Sequence, residues 1–189
     1  MFDFGAPNNK DGKLYRYDAK SSKVEVIADG LQIPNGIGFS PDNKVMYFID
    51  SLTHFIFKFD YDVATGELSN RREFIRVDPG EPDGMTTSKD GHLWVAVWGQ
   101  SSVLRYSPEG ELVEVYKFPA ERTSCPTFAG PNFDELIVTT ASLVHADEEE
   151  TEEKKNKING TNGYAKDFGG TIFRVKVDVS GIPSNIVSI

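Results

Sequence analysis

The chain has 189 residues, enough for one domain with a sizeable core. With 29 acidic against 20 basic residues its formal charge is −9, which excludes the broad basic face that nucleic-acid phosphates require. No apolar run approaches the roughly 18 residues of a membrane span, the N-terminus Met1-Phe2-Asp3-Phe4-Gly5 lacks the parts of a secretory signal, and the single cysteine, Cys125, has no internal disulfide partner, so a cytoplasmic protein is expected.

Helix signals are scarce, and strand signals recur in chain order as β-branched or aromatic residues between turn residues. Residues 13–18 alternate after Asp11-Gly12, and 24–28 follow as a second strand. Residues 36–39 and 45–49 pair across the Pro41-Asp42-Asn43 turn, and 55–61 closes that unit before Thr65-Gly66. The same grammar returns at 84–87, the turn Lys89-Asp90-Gly91, and 93–97, then 102–106, the turn Pro108-Glu109-Gly110, and 112–116. A third unit opens at Cys125, continues over 136–140 and ends in 171–177.

The repeat is explicit in Pro34-Asn35-Gly36 and Pro82-Asp83-Gly84, whose polar residues are 83 − 35 = 48 positions apart. Cys125 opens the third unit 125 − 83 = 42 positions later. A period of this size marks a propeller or a similar array, and the expected fold is all-β. One segment breaks the pattern: 146–170 carries a dense run of charge and then Asn159-Gly160-Thr161-Asn162-Gly163, and reads as a solvated, disordered loop within a single domain over 1–189.

These residues resemble the SMP-30/regucalcin and gluconolactonase family. The resemblance is carried by Ile33-Pro34-Asn35-Gly36, Tyr47-Phe48-Ile49-Asp50-Ser51, Ser69-Asn70-Arg71-Arg72, Pro82-Asp83-Gly84-Met85, Gly91-His92-Leu93-Trp94-Val95-Ala96 and Thr123-Ser124-Cys125. It implies a six-bladed β-propeller, of which this chain supplies a C-terminal portion of about four blades. It implies one divalent cation, Ca²⁺, Zn²⁺, Mg²⁺ or Mn²⁺, and hydrolysis of a small-molecule sugar lactone. Asn35 and Asp83 match metal ligands of the family, and Asp83 also matches its catalytic acid/base. The family's Glu ligand and its substrate-contacting Arg and Asn have no counterpart, so truncation is expected to impair the activity. The alternative is a non-catalytic, calcium-binding or interaction propeller fragment.

Bland readings stand beside these. Asn-Gly and Asp-Gly are turn signals in their own right. Asp50 ends an inner strand and reads as a turn residue or as a carboxylate orienting the site. Trp94 and Trp98 share one face of their strand and read as packing between blades. His54, His92 and His145 have no common metal spacing, and Cys125 reads as structural.

Overall fold

The computed structural model describes residues 10–142 and 167–183. A hairpin of β1 (Gly12–Asp18) and β2 (Lys23–Leu31) comes first. An antiparallel meander follows: β3 (Pro34–Phe39), β4 (Val45–Asp50), β5 (Phe55–Asp62) and β6 (Glu67–Arg76). A second meander holds β7 (Glu81–Thr87), β8 (Leu93–Trp98), β9 (Ser102–Tyr106) and β10 (Leu112–Lys117). A third holds β11 (Arg122–Ala129), β12 (Glu135–Ala141) and β13 (Phe173–Lys176), and touches the second through the Arg122–Trp98 pair. The all-β expectation holds. The helical piece among the described residues is a 3-10 turn, Ser51–Thr53.

Two strands explain how the sheets stack. In β8, Leu93, Val95 and Val97 face one apolar core with Tyr47, Ile49 and Ile56. Its alternate residues Trp94 and Ala96 face another, with Phe118, Phe128, Leu136 and Val138. In β4, Tyr47 and Ile49 enter the first of these cores, while Met46 and Phe48 enter a separate one with Leu31, Phe57 and Phe59. A strand buried on both faces needs no polar alternation, which is why these segments read as continuous apolar runs. Burying each such side chain contributes about 1.5–3 kcal/mol.

The outer strand β6 escaped the sequence pattern. Of its residues, Leu68, Phe74 and Ile75 are apolar, and its register is broken by irregularities. Charged side chains fasten it instead: Arg71 lies 4.2 Å over the Phe57 ring, Lys58 lies 4.1 Å over Phe74, and Arg72 is 2.8 Å from Asp60.

A serine closes the hairpin turns. Ser40 Oγ donates to Asp42 at 2.6 Å and accepts from the Val45 amide at 3.0 Å. Ser88 Oγ donates to Asp90 at 2.5 Å, and Ser107 Oγ accepts from the Glu109 and Glu111 amides. Ser88, beside Asp90 and His92, is therefore a buried turn device. His92 Nδ1 stands 3.1 Å from Asp90 but has no aligned hydrogen bond.

The loop expected over 146–170 falls mostly outside the described residues, as does His145. Its last part is held: Asp167 accepts from the Glu121 amide at 2.8 Å, and the Phe168 amide donates to the Pro119 carbonyl at 2.7 Å.

Candidate active site

The inner strands β3, β7 and β11 each carry one extra residue relative to their partners. Pairing slips between Pro34 and Ile37 in β3, between Pro82 and Met85 in β7, and between Thr123 and Cys125 in β11. A bulge of this kind bends a strand and re-aims a side chain. Matching the three registers puts Asn35, Asp83 and Ser124 at the same position of successive strands. Ser124, not Cys125, is thus the third member of the repeat, and Cys125 takes the place of the glycine. Sequence spacing could not separate the two, since the bulge is decided by pairing.

The structure also changes the reading of the glycines. Asn35 and Asp83 lie within strands rather than in turns, and neither Gly36 nor Gly84 has a positive φ. What the glycines supply is room. A Cβ on Gly36 would stand 2.7 Å from the Asp83 carbonyl oxygen, and one on Gly84 would stand 2.7 Å from the Ser124 carbonyl oxygen. Gly84→Ala should therefore push β7 and β11 apart, lowering stability by about 1–3 kcal/mol. Chemical denaturation checks this, and an unchanged midpoint would refute the close-packing account.

The Asp83 carboxylate is where the three strands meet. Burial pushes its carboxyl above the usual carboxylate range, hydrogen bonds from Ser124 and Asn35 pull it back, and the Glu81 charge pushes it up again. Asn35 Nδ2 also donates to Ser51 Oγ at 3.3 Å. A cleft of about 580 Å³ opens onto this point, lined by Asn35, Ser51, Glu81, Pro82, Asp83 and Trp98 among others. On its other side Ser124 and Cys125 border a second opening. Cys125 is exposed as a residue, yet crowding around its sulfur and the Asp83 charge push its thiol up, away from a reactive thiolate.

Asp50 resolves toward the structural reading, with a bearing on the site. Its buried carboxylate accepts from the Ile33 amide at 2.7 Å and from the Gln32 amide at 3.1 and 3.2 Å. It thereby fixes the chain just before Asn35. Trp94 is fully buried in the core as expected, whereas Trp98 is half-buried on the cleft wall. His54 Nδ1 is 2.8 Å from the Gly80 carbonyl oxygen, and His92 belongs to the turn above, so neither joins the cleft. Ser51 and Glu81 in the cleft, and Ser124 at the second opening behind Asp83, are residues that sequence reasoning missed. Pro-Asn-Gly, Pro-Asp-Gly and Thr-Ser-Cys fall into line only once the strand registers are matched.

The donors that converge here are an amide, a carboxylate and a hydroxyl. Among the described residues no group of three or more His, Cys, Asp or Glu could hold a metal. An all-oxygen set suits a hard cation such as Ca²⁺, Mg²⁺ or Mn²⁺, and suits Zn²⁺ less, since imidazole and thiolate ligands are lacking.

Residues 1–142 match the family model described as the SMP-30/Gluconolactonase/LRE-like region. A pentonolactonase, XacC, from Haloferax volcanii is 33% identical over 174 residues, which is 91% of this chain and 56% of that protein. A regucalcin from Danio rerio is 39% identical over 140 residues, covering 72% of this chain and 47% of that protein. A solved structure of a calcium-binding protein, regucalcin, from Agrobacterium tumefaciens superposes with a TM-score of 0.75 at 29% identity, covering 90% of this chain and 54% of that one. The chain thus spans about half the length of the relatives it matches.

Proposed function

This chain belongs to the SMP-30/gluconolactonase/LRE-like family, and from that premise we propose that its cleft serves cation-assisted hydrolysis of a sugar lactone. The sheets are read as an arc of about four propeller blades, with the cleft at the inner ends of β3, β7 and β11. The observation that carries the reading is the meeting of Asn35 and Asp83 from neighbouring inner strands at one half-buried point.

In this reading the Asn35 amide oxygen, the Asp83 carboxylate and the Ser124 hydroxyl hold one hard divalent cation. Bound there, the cation would polarise the lactone carbonyl and acidify a water. Asp83 would be the group that accepts a proton from water at this point. Its half-buried carboxylate, reached by Ser124 and Asn35 and lining the cleft, is placed for the role of base. Asn35 is kept in place by Ser51 and by the Asp50 clamp on the preceding backbone. Pro82 and Trp98 supply apolar surface to the cleft.

The test is proton release from D-glucono-1,5-lactone, followed against its spontaneous hydrolysis, with the chain stripped by chelator and then resupplied with Ca²⁺, Mg²⁺, Mn²⁺ or Zn²⁺. Turnover that disappears with chelator and returns with Ca²⁺ or Mn²⁺ is the expected result. Binding of Ca²⁺ without turnover would instead support the calcium-binding alternative.

A further inference from the structure

Outside the oxygen cluster, the cleft carries a second constellation whose parts come from three adjacent strands. Glu81 on β7 is paired directly with Trp98 on β8, and Trp98 is paired directly with Arg122 on β11. Residues directly opposite in antiparallel strands project to the same side. The rim of the sheet therefore presents an acid, an indole and a guanidinium in one row. The Arg122 guanidinium lies 5.2 Å over the Trp98 ring, and its Nη1 is anchored 3.2 Å from the Ser142 carbonyl oxygen. That contact holds the indole at a set orientation. Glu81 and Trp98 both line the cleft beside Asp83.

We propose that Trp98 is a stacking wall for a neutral polyhydroxylated ring and that Glu81 accepts hydrogen bonds from that ring's hydroxyls, making this pair the specificity element of the cleft. The proposal rests on the lactone reading of the site and gives that substrate its shape. A sugar ring has one face of C–H groups and a periphery of hydroxyls. The first meets an aromatic plane well, the second needs charged acceptors, and both are supplied here side by side. Glu81 stands apart from the Asn35, Asp83 and Ser124 oxygens, so its carboxylate is left to meet ring hydroxyls.

The two tryptophans make the test direct. Trp94 is fully buried and away from the cleft, so a ligand that touches indole reports through Trp98. The probe is methyl β-D-glucopyranoside, a sugar ring without a lactone carbonyl, titrated while tryptophan emission and calorimetric heat are recorded. The wild-type chain should shift its emission on binding. Trp98→Phe should bind within about threefold of wild type but without the shift, and Trp98→Ala should bind roughly tenfold more weakly. For D-glucono-1,5-lactone, Trp98→Ala should raise KM by roughly tenfold with kcat little changed, as for an interaction made equally in ground and transition states. Unchanged wild-type emission at saturating glucoside, or wild-type binding by Trp98→Ala, overturns the proposal. Lactone turnover with a Trp98→Ala variant of unaltered KM leaves the hydrolase standing and removes the stacking wall. Glucoside binding through Trp98 with no turnover keeps the wall and removes the hydrolase. The buried Trp94 emission, unchanged across variants, verifies that they are folded.

Discussion

Replacing Asp83 with Asn should lower kcat for D-glucono-1,5-lactone by roughly a hundred- to ten-thousand-fold, the range over which a positioned general base acts. The variant should lose Ca²⁺-dependent turnover without losing its fold. Asn keeps the shape and an oxygen that can still accept from Ser124, so the convergence of β3, β7 and β11 survives. In the proposed reading it removes the charge that would attract the cation and the group that would accept the proton. In chelator-containing buffer at neutral pH its melting temperature should rise, because a half-buried carboxylate whose proton affinity is raised chiefly by burial is destabilising while ionised. Activity and stability thus move in opposite directions, the pattern of a group held in place for function. Activity within about tenfold of wild type would remove Asp83 from the base role.

The largest stability effect should come from Arg105. Its side chain, 9% exposed, lies 5.1 Å over the Trp94 ring and reaches Asp90 at 3.2 Å, Asp178 at 3.1 Å and Glu114 at 3.6 Å. It therefore ties β9 to a hairpin turn, to β10 and to the segment after β13. The last of these is also held by the Lys89 amide donating to the Ser180 carbonyl and by the Ser88–Gly181 bridge. Arg105→Met should lower stability by about 2–4 kcal/mol. The figure sits toward the low end for a broken buried pair because the carboxylates can be solvated. The corresponding loss in melting temperature is roughly 6–12 °C for a chain of this size. Loss of less than about 1 kcal/mol would mean that the cluster is a surface network.

The same cluster gives a pH signature. Burial pulls the Asp90 carboxyl upward, but hydrogen bonds from Ser88 and the His92 amide, with the His92 charge, outweigh it and hold the group below its ordinary value of 3.8. A depressed acid stabilises the fold fully above the unfolded value and loses that contribution as pH falls through the folded one. Asp90→Asn should therefore melt below wild type at pH 7, and the gap should close as the pH is taken below 3.8. A gap that persists in acid would assign the loss to the turn geometry alone.

How far the fold was legible follows from where each strand sits. β4 and β8 were plain, since both faces are buried and every position is apolar or nearly so. β6 was hidden because cation–π contacts and an ion pair, rather than apolar alternation, hold it. The starts of β3 and β7 were read late by a few residues, because Pro-Asn-Gly and Pro-Asp-Gly have the chemistry of turns. In the sheet the proline begins or borders a bulge, where its missing N–H costs nothing.

By itself, the sequence determined the all-β class, the spacing of 48 between Asn35 and Asp83, and the family to which the chain belongs. These depend on periodicity and on residue type, which are local and survive as strings. Only the tertiary structure decided that Ser124 rather than Cys125 is the third converging residue, and that Gly36 and Gly84 serve close packing. It alone placed Trp98 on the cleft while Trp94, on the same face of the same strand, is core. The physical reason is common to all of these. Bulge register, interstrand distance and the end of a packed layer are properties of pairs of strands, and no single segment carries them.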